Sequence, residues 1–294
     1  MDKCMNEYFL FGDEFKKRQE FENYNMSIGK SLYEVIRISD GVPIFLMEHL
    51  SRLENSAKIM KYNLCITKEK IIDGILELIH KNNISQGNIK LVINYQPNSV
   101  HNENSKSLTE RFLAYFIPHA YPSKEQYEEG VKTITCQVER SNPNAKVINS
   151  DFREKVNEKI DSNSVYEAIL VDDAGFITEG SRSNIFMVIG SKVLTSKVEN
   201  VLPGITRQFI IKACKKLNIV VEEKNVHKRD IESLTGLFIS GTSPNVLPIS
   251  SVDEFSFNSS KNPIINSIML GFQNELKEDK QKIVKFIGNR SINK

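Results

Sequence analysis

Two periods of apolar residues alternate along this chain, and each change of period marks a new element. Residues 45–62, "FLMEHLSRLENSAKIMKY", place Leu46, Leu50, Leu53, Ala57 and Met60 at alternating spacings of four and three. That spacing is one face of an α-helix. A second helix is predicted over residues 68–81, "KEKIIDGILELIHK". Around these two, residues 8–12, 31–37, 89–95 and 111–117 are rich in β-branched and aromatic side chains, as in "SLYEVIR", "IKLVINY" and "RFLAYFI". They read as strands.

The pattern breaks at residues 118–130, "PHAYPSKEQYEEG", where prolines, charges and a closing glycine signal a linker. Beyond it, "VKTITCQVE", "YEAILVDDAGFIT", "NIFMVIG" and "KVLTS" read as strands with short turns, "DDAG" closing one hairpin. Residues 179–186, "EGSRSNIF", read as the middle of a β-hairpin between apolar runs. "GITRQFIIKACKKL" is a helix behind a Pro-Gly turn, "GLFISGTS" a strand, and "NPIINSIMLGFQNELKEDKQKIVKFI" a long helix. The class is α+β, or mixed α/β. At about 150 residues per domain two domains are expected. They are residues 1–119, an α/β domain, and 131–294, with 120–130 as the linker.

Composition narrows the function by exclusion. The chain is 40% hydrophobic and 26% charged, enough to bury a real core. A net charge of +2 favours neither nucleic acid nor an anionic membrane as a partner. No apolar run approaches the length of a membrane helix, and "MDKCMNEYFLFGDEF" holds no long apolar stretch. Cys4, Cys65, Cys136 and Cys214 lie far apart with no C-x-x-C pair, so neither a zinc cage nor a disulfide framework is expected. The five histidines show no metal-ligand spacing. A reduced, cytoplasmic protein without a metal is the expectation.

Several short stretches carry candidate chemistry. "EGSRSNIF" puts the Glu179 carboxylate, hydroxyls and an amide among strand residues that are ordinarily apolar. Lys146, in "SNPNAKVIN", has apolar neighbours in Ala145, Val147 and Ile148. Desolvation there favours the neutral, nucleophilic amine. Lys155 and Lys159 sit among acids and read as solvated. In "LPGITR", a Pro-Gly turn opens a helix whose first N–H groups suit a phosphate, although Thr206 could be a plain cap. "SGTSPN" is a second hydroxyl-rich turn that could cradle an anion or be only a turn. In "EHLSRL", His49 and Arg52 share a helix face off the apolar stripe, where an arginine is either solvated or a phosphate fork.

Each signal has a bland alternative, but the set fits one cofactor. Pyridoxal 5′-phosphate needs a lysine for its aldehyde and cradles for its phosphate. It also needs an anion at its pyridine nitrogen to keep the ring an electron sink. Glu179 would be that anion.

The chain resembles the class IV, fold-type IV, pyridoxal-phosphate-dependent aminotransferases. These are the branched-chain and D-amino acid aminotransferases and aminodeoxychorismate lyase. The family signature is matched by Glu179, Ser181, Asn184, Ile185, Phe186, Val193, Thr195, Leu202, Gly204, Ile205 and Arg207. The family's helix motif appears as Glu48, His49, Arg52, Leu53, Ser56 and Ala57. Its "YEA" strand begins at Tyr166, twenty residues after Lys146. The resemblance covers residues 5 to 250 and leaves the helical tail less clearly covered.

The resemblance implies roles at the matching positions. Lys146 is the Schiff-base lysine and moves the proton between substrate and cofactor. Glu179 pairs with the pyridine nitrogen. Arg52, Ile205, Thr206 and Thr242 hold the phosphate, and Leu202 packs against the ring. Tyr33 lines the substrate side, and Asn184 fixes the turn. The family also implies a homodimer with the site between domains, a small-molecule amino acid and a 2-oxo acid as substrates, and no nucleic acid or membrane partner.

The chain departs from the family in two places. The D-amino acid subgroup carries an arginine in the loop corresponding to residues 94–108. None occurs here before Arg111. "SGTSPNVLPI" resembles instead the branched-chain turn, whose backbone N–H groups take the α-carboxylate, which points to Thr242 and Ser243 and to a branched-chain type of substrate. Asp151 also stands where the branched-chain subgroup has a tyrosine. The alternatives are a D-amino acid aminotransferase, a 4-amino-4-deoxychorismate lyase using the same lysine, and a chain that has lost turnover. The lyase needs basic groups for a dianionic ring, and residues 94–108 offer only His101 and Lys106. Intact Lys146 and Glu179 argue against lost turnover.

Overall fold

The computed structural model describes residues 3–24, 26, 28–97 and 108–292. The chain forms two compact units. One comprises Met1–His119, Ala145–Ile148 and Asp279–Lys294, the other Ala120–Asn144 and Asn149–Glu278. This corrects the sequence division, which assigned all of 131–294 to one domain. The lysine-bearing segment and the end of the last helix belong with the first unit.

The first unit is built on an antiparallel sheet of six strands. These are β1 (Tyr8–Phe11), β2 (Glu14–Lys17), β3 (Lys30–Ser39), β4 (Val42–Pro43), β5 (Gln86–Pro97) and β6 (Leu108–Ile117). Their spatial order is β2-β1-β6-β5-β3-β4. Helices α1 (Leu46–Ile59) and α2 (Lys68–Lys81) cover one face. Leu50, Leu53 and Ala57 of α1 meet Leu32, Ile36 and Ile38 of β3 in the core. Strand alternation sends Val92 and Leu113 to the opposite face, with Phe9, Phe21 and the half-buried Tyr33. The start of α1 is unusual. Phe45 takes a left-handed conformation with φ of 53°, and its N–H donates to the Asp279 carboxylate at 2.6 Å. An anion at a helix start suits the macrodipole.

The second unit opens with α3 (Lys124–Glu129), inside the stretch expected to be a linker. Ser123 and Gln126 form a capping box there. Tyr127 packs into this unit's core, and its hydroxyl donates to the Pro244 carbonyl at 2.9 Å. The next strand follows Gly130, whose φ of +82° and close approach to the backbone of residues 248–250 require glycine.

The elements that follow are β7 (Val131–Gln137), α4 (Ser150–Ser162), β8 (Glu167–Val171), β9 (Phe176–Gly180), β10 (Asn184–Ile189), β11 (Lys192–Thr195) and α5 (Ile205–Lys216). After them come β12 (Val221–Glu223), β13 (Val226–His227), β14 (Gly236–Gly241), β15 (Asn245–Val252), β16 (Phe255–Ser256) and α6 (Pro263–Ile292). The sheet runs β12-β11-β10-β14-β15-β7-β8-β9-β13, with β16 on β15. The hairpin expected around residues 179–186 is therefore absent. β9 pairs with β8 and β13, β10 pairs with β11 and β14, and residues 181–183 carry the chain between strands that are not neighbours. Among the described residues, no helix is long and apolar enough to cross a membrane, and no cluster of side chains is placed to hold a metal.

Candidate active site

In the first unit, the edge of β3 receives the lysine. Tyr33 N–H donates to the Lys146 carbonyl at 3.0 Å, Ile148 N–H donates to the Ser31 carbonyl at 2.9 Å, and Leu32 bridges to Val147. The Ser56 hydroxyl of α1 accepts the Lys146 N–H at 3.2 Å. Lys146 is held at its backbone while its side chain stays half-buried. Its Nζ lies 4.5 Å from the Tyr33 ring centroid, and Lys90 Nζ lies 5.1 Å from the same ring. A cation near the face of this ring is stabilised by cation–π attraction. The apolar setting expected of the lysine is partial. Ala145 is buried, Val147 is half-buried and Ile148 is exposed.

Arg52 and His49 are not solvated. They are 7% and 2% exposed, and both turn to Glu34, which is 0% exposed on the α1 side of β3. Arg52 donates through Nε at 2.8 Å and through Nη2 at 2.6 Å, and His49 Nδ1 lies 2.8 Å from Glu34 Oε2. Burial alone would raise the Glu34 pKa. The charge and hydrogen bonds of Arg52, helped by His49, outweigh it and bring the carboxyl down to about 2. Burial dominates at His49 and lowers its pKa, so the imidazole is neutral and donates from Nδ1. Sequence reasoning missed Glu34. The available signal was a charged residue inside the apolar "SLYEVIR" strand.

In the second unit, Glu179 is the next-to-last residue of β9, 3% exposed. Its Oε2 accepts the Leu202 N–H at 3.1 Å and a longer contact from Asn184 Nδ2 at 3.4 Å, while Arg140 Nε lies 3.2 Å from Oε1. Arg140 also donates to the Ser181 carbonyl at 2.6 Å, as does Arg153 at 3.1 Å. The hydroxyls of this turn have another duty. Ser181 and Ser183 donate to the buried Glu167 carboxylate, at 2.5 and 3.2 Å. That is why polar residues stand at this turn. They satisfy one buried carboxylate, and the turn they form presents another. Arg140 and Glu167 were the residues missed here.

Asn184 fixes the next turn. Its Nδ2 donates to the Leu202 carbonyl at 2.9 Å. Three residues on, α5 begins at Ile205 with Gly204 as its N-cap, no capping side chain and no acid in its first turn. Thr206 lies inside the helix, so it is not the plain cap of the alternative reading. Leu202, Ile205 and Thr206 are all buried. The Thr242–Ser243–Pro244 turn joins β14 to β15, with both hydroxyl residues half-buried. Just before it, the buried Ser240 hydroxyl has no hydrogen-bond partner among the described residues.

These features suit a phosphorylated pyridine aldehyde. A helix start without a capping side chain suits an anion. A buried hydroxyl without a protein partner calls for one from a ligand. Bound pyridoxal 5′-phosphate supplies the electron sink. In the first unit Lys146 offers an amine of the kind its aldehyde needs and Arg52 a cation suited to a phosphate; in the second unit Glu179 offers an anion suited to a ring nitrogen, and Ile205, Thr206 and Thr242 offer groups suited to a phosphate. The residues expected in the 94–108 loop, His101 and Lys106, lie outside the described residues.

Comparison with known proteins agrees with this chemistry. The class IV amino-transferase family model matches residues 31–252. A Methanocaldococcus jannaschii protein, provisionally named a branched-chain-amino-acid aminotransferase, is 33% identical over 251 residues, spanning 83% of this chain and 85% of its own. D-alanine aminotransferase of Bacillus licheniformis is 29% identical over 282 residues, spanning 94% and 99%. In fold, the crystal structure of Escherichia coli branched-chain amino acid aminotransferase matches with a TM-score of 0.82 at 24% identity, covering 92% of this chain and 95% of that one. The chain belongs to the class IV aminotransferases, enzymes that use pyridoxal 5′-phosphate.

Proposed function

We propose that this aminotransferase moves the amino group of a branched-chain type of amino acid to a 2-oxo acid, with Lys146 as its catalytic base and acid. The observation that carries the assignment of roles is the pinning of the Lys146 backbone between β3 and Ser56 beside the Tyr33 ring. A fixed backbone and a half-buried ammonium suit a lysine that must return to one atom in each half-reaction. Glu179 holds the ring nitrogen, and Leu202 packs on the ring. Arg52, the α5 start at Ile205 and Thr206, and Thr242 hold the phosphate. Tyr33 and the backbone N–H of Ser243 take the substrate carboxylate.

The branched-chain reading draws on the Methanocaldococcus and Escherichia relatives and on the "SGTSPN" turn. The D-amino acid reading draws on the Bacillus relative. It lacks an arginine between residues 94 and 108 to clamp a carboxylate. We place the enzyme in the cytoplasm, which suits four unpaired cysteines, and assign it a homodimeric state, testable by light scattering. Single-turnover titration of the holoenzyme with L- and D-amino acids, followed by the cofactor's visible absorbance, tests the substrate class. L-leucine, L-isoleucine and L-valine are expected to discharge the absorbance at the lowest concentrations. Preferential reaction of D-alanine overturns the reading.

A further inference from the structure

Arg52 is almost fully buried on α1, and a buried cation needs a partner. Glu34 supplies one in a geometry that does more than neutralise. Its two oxygens take Nε and Nη2 at 2.8 and 2.6 Å, a side-on fork that fixes both the direction and the roll of the guanidinium. His49, one turn earlier on α1, braces the same carboxylate at 2.8 Å. Ser56, one turn later, holds the Lys146 backbone. Successive turns of one helix thus tie down the arginine and the lysine segment, all inside the first unit. Glu34 itself sits mid-strand in β3, hydrogen-bonded on one side to β5, so its own position is set by the sheet.

We propose that Glu34 is a positioning residue for the cofactor phosphate, fixing the aim of the Arg52 guanidinium, with His49 as its brace. This rests on the reading of Arg52 as a phosphate ligand. Glu34 touches neither cofactor nor substrate. Its effect passes through Arg52 and is therefore specific to the phosphate end of the cofactor. The ionised state the role requires holds throughout the neutral range, because Arg52 and His49 outweigh the cost of burial.

Pyridoxal lacks only the phosphate, so the ratio of the dissociation constants for pyridoxal and pyridoxal 5′-phosphate isolates the phosphate contribution. The full-length chain, freed of cofactor, is titrated with each. Glu34→Gln is expected to lower that ratio about tenfold, the scale of disturbing a hydrogen bond to a charged group, with pyridoxal affinity unchanged. Arg52→Met lowers it at least as much, and adding Glu34→Gln to Arg52→Met lowers it little further. Glu34→Asp keeps the charge but withdraws it by one methylene. It gives a smaller loss, and it carries the test if Glu34→Gln does not fold. The inference is overturned if both Glu34 variants lower Tm yet keep the wild-type ratio while Arg52→Met collapses it. An unchanged ratio in Arg52→Met overturns the phosphate role of Arg52, and the inference with it.

Discussion

Asn184 and Gly204 interlock: a Cβ built on Gly204 would lie 2.0 Å from the Asn184 Oδ1. The glycine at the head of α5 is therefore required by space, since its φ of −61° is open to any residue. The same amide donates to the Leu202 carbonyl, and Leu202 N–H donates to Glu179. One contact thus joins the helix start to the carboxylate near the end of β9. Gly204→Ala must expel the Asn184 side chain and leave its buried amide unsatisfied, at about 1–3 kcal/mol. A double-mutant cycle checks this: in an Asn184→Ala background, Gly204→Ala costs much less. Equal costs in both backgrounds contradict the interlock.

Acid stability reports on Glu34. Its folded pKa lies below the unfolded value, so its contribution is fully present above the unfolded pKa and is lost as pH falls through about 2. Chemical denaturation of wild type and Glu34→Gln at several pH values should show a gap in unfolding free energy. The gap should be widest near neutrality and narrow by on the order of 3 kcal/mol between about pH 5 and pH 2. A gap that does not change with pH means that Glu34 is not the ionised partner of Arg52.

Tyr127, on α3, donates its hydroxyl to the Pro244 carbonyl at 2.9 Å, in the turn proposed to seat the substrate carboxylate. Tyr127→Phe removes that bond and keeps the ring packed against the second unit's core. Stability should fall by about 1 kcal/mol, and KM for the amino acid should rise severalfold as the Thr242–Pro244 turn loosens. The cofactor spectrum should not change. If stability falls while KM stays fixed, the turn is not the seat of the substrate carboxylate.

Glu179→Gln keeps an oxygen for the Leu202 N–H but removes the negative charge. The loss should fall on kcat, by about a hundredfold, with KM nearly constant. An unchanged kcat would reduce Glu179 to a structural anchor.

Local signals made much of this molecule legible. The four-three spacing of Leu46 to Met60 and the β-branched runs of β3, β5 and β6 report local periodicity, and these elements formed as expected. The residues of the signature motif were legible too, because their spacing in sequence is local. Long-range pairing was not. Nothing in "EGSRSNIF" shows that β9 and β10 join different neighbours. Nor does anything in Lys146 or Asp279 show that their segments belong with the first unit. α4 was hidden because only Val156 and Ile160 of its thirteen residues are buried, too few to print a period on "FREKVNEKID". The supporting charges were hidden for a related reason. Glu34 finds Arg52 eighteen residues away across a strand and a helix, and Arg140 finds Glu179 only in three dimensions.

We propose that Lys146 carries the cofactor. Borohydride reduction of the holoenzyme, followed by digestion and mass spectrometry of the pyridoxyl-bearing peptide, tests it most directly. The label is expected on Lys146 and is expected to be absent from a Lys146→Ala variant. A label on Lys155 or Lys159, or one retained by the variant, would contradict it.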